Sequence, residues 1–456
     1  MGTEEEGMRE NCAILARFLG CSVPPGSEGV WVEGVAFDSR EVRPGDLFVA
    51  VPGEKTDGHL FVSDAASRGA VAALVAQPVA SPLPQLVVPD TVAALQRVAS
   101  RIRQGAGFKV VAVTGSVGKT TTKGMVAALL TRHMPVAETR GSRNSQVGLP
   151  AELCNLSGQI EWFVAEAGMS RQGELARLGE VLRPDALLYT RIAPVHLEFF
   201  PSLDAIAEAK AELIPFLSRE GLLVVNAADP LQASFPARFA GRVRRYGIPG
   251  ASDLWVAERM PQGLLGTRFT LAASGLRLPV ELPLPGPHQV ENFLAAACLA
   301  LALGVPAEDL PEAARHLRPQ PHRGEIHRLP SGAMLVDDSY NASPVAVAAM
   351  LELLGQTPGR HLAVLGEMLE LGEASPRFHQ EIGERARATC QKLVTVGGEN
   401  ARLAAAAYGS QGVWVPTWEE AVSALGDDLR EGDVVLVKGS RGIGLDRLVD
   451  VLLGRR

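Results

Sequence analysis

The apolar residues of this chain fall into short unbroken runs rather than alternating stripes. Val110–Val113, Trp162–Ala165, Ala186–Tyr189 and Leu222–Val225 are such runs, separated by stretches of helical periodicity. A strand covered on both faces has no polar side, so runs of this kind alternating with helices predict a doubly wound parallel sheet. A second set, MLVDD, HLAVLGE, KLVTVGG, GVWVP and DVVLVKGS, predicts a further α/β unit of Rossmann-like character. Between the two sets, Val243–Leu284 is more β-like, and GPHQVENFLAAACLALALG reads as an apolar helix. The first hundred residues open with the β-rich GVAFDSREVRPGDLFVAV and close with the amphipathic helix TVAALQRVASRIRQ. Gly105 and Gly107 break the pattern there, and LRPQPHRGE breaks it again. The expected division is 1–106, 107–317 and 318–456, in line with domains of about 150 residues each.

Charge and composition narrow the partners. Forty-four basic against fifty-one acidic side chains leave a formal net charge of −7, which gives no footprint for nucleic acid or an anionic membrane. No apolar run reaches the ~18 residues of a membrane span without a polar break, and the acidic N-terminus lacks a leader's apolar core. The chain is therefore expected to be soluble and cytoplasmic, with no membrane insertion; a monomer is the expectation for its assembly, which neither charge nor hydropathy decides. Cys12, Cys21, Cys154, Cys298 and Cys390 lack metal-ligand spacing and are expected as reduced thiols. Lysine is scarce: Lys55, Lys109, Lys119, Lys123, Lys210, Lys392 and Lys438 are the whole set. Arginine offers neither a neutral amine nor a compact point charge, so retained lysines invite a chemical role. For Lys55, Lys109 and Lys392 ordinary sampling explains them equally well.

The densest chemistry lies in KVVAVTGSVGKTTTKG, Lys109 to Gly124, where an apolar run meets a glycine-punctuated turn and then a helix start. That order makes a phosphate cradle: Gly115, Ser116, Val117 and Gly118 turn backbone N–H groups inward, Lys119 reaches terminal phosphates, the Thr120 hydroxyl ligates magnesium and Thr121 continues the helix N-terminus. Only Ser116 and Val117 separate the two glycines, where the usual loop has about four residues. Glu166 closes a predicted strand, where ligand sites of open α/β sheets collect, and reads either as a ligand there or as a cap on the next helix. His196, after another strand, reads from the residues alone as a packed loop histidine. Lys210, between Glu208 and Glu212, reads as an exposed helical lysine.

Several separated motifs together resemble the Mur ligase family, ATP-dependent amide-bond-forming enzymes of peptidoglycan synthesis. They are DSREVRPGDLFVAVPG with DGHLF, TGSVGKTTTK, EAG at Glu166, APVHLEFF, EAKAE around Lys210, GPHQVEN, HRGE, DDSYNASP, LGEMLELG and LVKGSR. The last four are most similar to the branch that adds D-alanyl-D-alanine to a UDP-N-acetylmuramoyl-tripeptide. The resemblance implies three domains, with a central P-loop-type ATPase domain, a UDP-substrate-binding N-terminal domain and a Rossmann-like C-terminal domain for the dipeptide. It implies ATP and two magnesium ions, with Glu166, His196, Thr120 and Lys210 as metal ligands, Lys210 carrying carbon dioxide as a carbamate. It places Asn292, Arg323 and Asp338 on the nucleotide, with Arg323 at the γ-phosphate. It places Ser39, Arg40, Asn144 and Ser145 on the UDP-linked substrate, and Tyr340, Asn341, Lys438 and Arg441 on the incoming dipeptide. Core packing is an equal alternative for Tyr340, and Asp38 is expected to shape the turn beside Ser39. Two motifs depart from the family: TRGSRNSQVG has Ser142 and Ser145 where asparagines are usual, and Gln289 stands for asparagine in GPHQVEN. Two rival readings are a folylpolyglutamate-type ligase, against which the N-terminal motif speaks, and a nucleotide-binding switch or transport ATPase, which leaves Glu166, His196 and Lys210 unexplained.

Overall fold

Three largely parallel sheets carry the fold in the computed structural model, which describes residues 8–53, 56–426 and 429–455; Lys55 lies outside the described residues. The first sheet is formed by Gly34–Ala36, Asp46–Val49, Ala72–Val75 and Gln85–Val87, all parallel. A helix absent from the sequence reading, Cys12–Leu19, precedes it; the Asn11 side chain accepts the amides of Ala13 and Ile14 at its start. Eight residues give barely two turns of periodicity, too few to register as a pattern.

The central sheet runs Arg242–Tyr246, Leu222–Asn226, Ala186–Tyr189, Lys109–Thr114, Trp162–Glu166, Val136–Glu138, and every pairing is parallel. From Lys109–Thr114 the chain first builds strands on one side and then on the other, so the C-terminal end of that strand is the topological switch point where ligands of such sheets bind. Val110 to Thr114 are completely buried, which is why the run is apolar without alternation. A three-stranded antiparallel sheet follows, Trp255–Pro261, Thr267–Ala273 and Leu276–Leu282. The apolar helix Pro287–Ala302 is wedged between this sheet, the central sheet and the helix Lys119–Thr131, so it carries no polar face.

The third sheet orders Glu325–Arg328, Met334–Asp338, Asp433–Lys438, Arg360–Gly366, Lys392–Val396 and Gly412–Val415, parallel except for the first, an antiparallel edge. The sheets are separate, but the first two share one core: Leu15, Leu47, Leu74 and Leu95 belong to the same cluster as Phe163, Leu175 and Tyr189. The helix Thr91–Gly105 makes the join, packing on Gly148–Cys154 and Glu174–Leu182. The Asn155 amide completes it, exchanging two hydrogen bonds of 2.8 Å with the Val35 backbone. The glycines near residue 106 thus end a helix without separating two cores. Leu264, at the tip of the antiparallel sheet, packs into the core of the third domain. Among the described residues no helix is long and apolar enough to cross a membrane.

Candidate active site

The strand Lys109–Thr114 leads into Gly115, and the helix Lys119–Thr131 begins directly after Gly118. Gly115 and Gly118 hold φ of +147° and +85°, and an added Cβ would strike the Thr190 hydroxyl in the first case and the Asn292 amide in the second. The turn is pinned from outside. The Ser116 and Val117 amides donate to the Arg191 carbonyl at 2.8 and 3.3 Å, and the Thr190 hydroxyl donates to the Val117 carbonyl at 2.8 Å. These two N–H groups therefore face Arg191 and not a cradle, which corrects the sequence reading of the loop. The donors left for a phosphate are Lys119 and the first-turn amides of Lys119, Thr120 and Thr121, which an α-helix leaves without intrahelical partners. Lys119 Nζ rests on the carbonyls of Gly115 and Ser116 at 3.0 and 3.1 Å.

Glu166 sits beside this turn, in register with Val113 across the sheet, and is 1% exposed. Its Oε1 accepts the Asn144 amide at 2.5 Å, and its Oε2 is buried without a partner, as is Ser116 Oγ. Glu166 does not cap the next helix: at Glu174–Leu182 it is Glu212 that accepts the Gly173 amide at 2.8 Å. Buried acceptors left over beside a lysine at a helix start suit a phosphate-bound magnesium ion, so these residues fit that pair of groups.

Asn144 belongs to a loop that touches all three domains. Lys123, 1% exposed, donates to the Thr139 and Gly141 carbonyls at 2.5 and 3.3 Å and lies 3.1 Å from the Glu138 carboxylate. The sequence reading gave Lys123 no role, although its place one helical turn after Lys119 was the available signal. Arg140 and Arg143 both reach the buried Glu152, at 2.7 and 2.9 Å, and Arg143 also pairs with Glu41 of the first domain. The Ser142 hydroxyl meets the Tyr340 hydroxyl of the third domain. Ser145 Oγ accepts the Gly148 amide at 3.1 Å, so it shapes the entry to a helix. Both departures from the family motif thus have structural work.

Lys210 is not the exposed helical lysine of the residue-level reading: on the helix Leu203–Ala211 it is 1% exposed. Its flanking glutamates are engaged elsewhere, Glu208 with Arg238 at 2.5 Å and Glu212 with the Gly173 amide. Among the described residues no hydrogen bond or ion pair engages its Nζ. Burial, and then the charge of Lys119, push its pKa well below the ordinary lysine value. Burial lowers the pKa of Lys119 too, with Glu166 opposing and Arg323 adding to the shift. Lys119, Lys210, Arg323 and Glu166 thus share one field with an excess of positive charge.

His196 adopts a left-handed backbone, φ +56°, and its Nδ1 lies 2.5 Å from Glu370 Oε2 of the third domain. Glu370 is left-handed as well, at φ +63°, and the histidine holds its carboxyl below the usual carboxylate range. Asn292 sits against Gly118, its amide 3.3 Å from Gln289 Oε1, so Gln289 steadies it. Arg323 Cζ lies 4.1 Å from the Tyr340 ring centroid, and the exposed Arg441 lies 5.2 Å from it. Lys438 departs from expectation. It is 3% exposed and bound to Asp338 Oδ2 at 2.6 Å and the Asn341 carbonyl at 3.0 Å, so its charge is answered inside the third sheet, where Lys438 and Asp338 are register partners. The Asn341 side chain turns to the Ala342 amide at 2.9 Å. In the first domain Asp38 caps the turn Ser39–Glu41 and binds Arg40 at 2.6 Å, while Ser39 is 7% exposed. A cavity of about 580 Å³, lined by Arg191, Asn226, Asp229, Tyr246, Glu291 and Val345, opens beside the pinned turn.

Comparison with known proteins follows the same three parts. The Mur ligase family catalytic domain matches residues 32–103, the Mur ligase middle domain 113–300 and the Mur ligase glutamate ligase domain 322–441. The UDP-N-acetylmuramoyl-tripeptide–D-alanyl-D-alanine ligase of Escherichia coli is 34% identical over 93% of this chain and 94% of its own. The crystal structure of MurF from Acinetobacter baumannii superposes with a TM-score of 0.86 at 28% identity, covering 99% of this chain and 100% of the other. The MurF ligase of Thermotoga maritima in complex with ADP gives 0.80 at 30% identity, over 92% and 97%. Because the likeness runs through all three sheets and not only through the phosphate turn, this chain belongs to the Mur ligase family.

Proposed function

We propose that this enzyme joins D-alanyl-D-alanine to UDP-N-acetylmuramoyl-tripeptide, converting ATP to ADP and phosphate, in the cytoplasm. The observation that carries the reading is the cluster of the buried Lys210 and Glu166 with the half-buried Lys119 and Arg323, drawn from two domains onto the switch point of the central sheet. The substrate carboxylate attacks the γ-phosphate, giving an acyl phosphate and ADP; the dipeptide amine then attacks the acyl carbon, and phosphate leaves as the amide forms. Every participant but the amine is an anion, so the protein's work is alignment and charge neutralisation. Lys119 and the first-turn amides hold the terminal phosphates, and Arg323 brings a forked donor from the third domain. Asn292 and Asp338 border the nucleotide, whose nucleoside fits the cavity beside Arg191.

Thr120, the free oxygen of Glu166, His196 and Lys210 as a carbamate are the residues that would hold two magnesium ions, which supply charge neutralisation between the phosphate oxygens. For His196 the pairing of Nδ1 with Glu370 supports this, since it leaves Nε2 free and fixes the ring as outer carboxylates do for ligating histidines. Ser39, Arg40, Asn144 and Ser145 border the UDP-linked substrate, and Asn341 and Arg441 the dipeptide. Both sides of the site come from one chain, which supports a monomer. The test is ligation by the purified protein across a panel of UDP-muramoyl peptides with D-alanyl-D-alanine, D-alanine and L-amino acids, with ADP release followed. Dipeptide addition to a tripeptide acceptor is expected. Addition of a single amino acid to a UDP-muramoyl dipeptide, with D-alanyl-D-alanine ignored, would overturn it.

A further inference from the structure

Arg323 raises a question of alignment. Among the described residues no carboxylate pairs with its guanidinium, and no side-chain hydrogen bond holds it. What it touches is the face of Tyr340, 4.1 Å from the centroid. A long side chain with all its donors unspent has many rotamers, and an aromatic face restricts them without occupying a single N–H. The backbone beneath is fixed in the same way. The Tyr340 amide donates to the His322 carbonyl at 3.1 Å, and the Gly324 amide to the Asp337 carbonyl at 2.8 Å, so both neighbours of Arg323 are bonded to the segment that carries Tyr340. Asp337, 1% exposed, then accepts His322 Nδ1 at 2.8 Å and the Ser339 hydroxyl at 2.6 Å. Arginine and tyrosine are therefore tied through their backbones as well as through ring and guanidinium. The pair's outward contact is the Tyr340 hydroxyl on Ser142, in the loop that brings Asn144 to Glu166.

We propose that Tyr340 is a positioning residue for Arg323: its ring aims the guanidinium at the phosphate turn, and its hydroxyl on Ser142 makes that aim conditional on the third domain meeting the central one. The contacts the ring makes in this structure are to Arg323 and Arg441, and its hydroxyl meets Ser142. The assignment rests on the ligase reading only for the identity of the reaction; the alignment itself concerns nucleotide.

A double-mutant cycle on the full chain tests it, read as the affinity for a non-hydrolysable ATP analogue with magnesium, by calorimetry. Tyr340→Leu is expected to weaken analogue binding about tenfold, between the exposed and the desolvated limits of a cation–π contact, and to do so by less than about twofold in an Arg323→Ala background. Tyr340→Phe keeps the ring and should bind the analogue nearly as the parent does, while Tyr340→Phe and Ser142→Ala cause equal, non-additive losses in kcat. In steady state Tyr340→Leu should lower kcat and leave the dipeptide KM within about twofold. Losses that multiply in the Arg323→Ala background, or a raised dipeptide KM at unchanged kcat, would overturn the proposal. Because the analogue cycle needs no ligation, a protein that couples these residues yet ligates nothing would sink the ligase reading and leave this one standing.

Discussion

A lysine whose pKa is driven down by burial and by a neighbouring ammonium has a larger free-base fraction, the form that adds carbon dioxide. With carbon-13-labelled bicarbonate, the parent protein is expected to show a carbamate carbonyl resonance that Lys210→Arg lacks, and that variant should lose more than about a hundredfold in kcat. Full activity in the Lys210→Arg variant would remove the carbamate from the scheme. Single residues were legible in the sequence where the motif itself carries the chemistry, as at Lys119. They were not where partners are remote. The burial of Lys210 is hidden because Glu208 and Glu212 look like a solvated face, yet one binds Arg238 and the other the start of another helix. The pairing of Lys438 with Asp338 is invisible in the sequence because the two lie 100 positions apart.

Between elements, the helix Lys119–Thr131 and the loop after Glu138 act together through Lys123, which binds main-chain carbonyls and so leaves no charge pattern in the sequence. Lys123→Met should release the loop, costing about 2 kcal/mol in urea denaturation and raising the magnesium concentration for half-maximal activity several-fold. An unchanged magnesium requirement would detach the loop from Glu166. In the third sheet Arg360 binds the buried Asp433 at 2.7 Å between adjacent parallel strands and holds its carboxyl below the usual range. A depressed folded pKa contributes stability above the unfolded value of about 3.9 and loses it as pH falls through the folded one. Asp433→Asn should therefore be less stable than the parent by about 2 kcal/mol at pH 7, with the difference shrinking below about pH 4 in denaturation curves; a constant difference would exclude the ion pair. Strands buried on both faces announced themselves as apolar runs. The core shared across residue 106 did not, because a helix serving two cores shows the same amphipathic pattern as one serving a single core.

Across the whole molecule, the contacts that join the domains include Arg143 to Glu41, Ser142 to Tyr340, His196 to Glu370 and Leu264 to the third core. None has a local signature, since each partner looks like an ordinary surface residue in its own segment. The histidine contact carries the sharpest expectation. Glu370→Ala frees the ring of His196 and should lower kcat ten- to a hundredfold, as loss of an outer carboxylate does at metal-ligating histidines, with a larger radius of gyration by solution scattering. Parent-like kcat and scattering together would show that the third domain closes without this pair.

The pinning of Ser116 and Val117 to Arg191 has a consequence for turnover. A loop already folded before nucleotide arrives forfeits little freedom on binding, and it cannot let ADP go by melting. Exit of the spent nucleotide then falls to the withdrawal of Arg323 and the domain that carries it, which makes product release a hinge event rather than a loop event. Deuterium exchange at these two amides should be slow with and without ADP; rapid exchange in the unliganded protein would return that step to the loop.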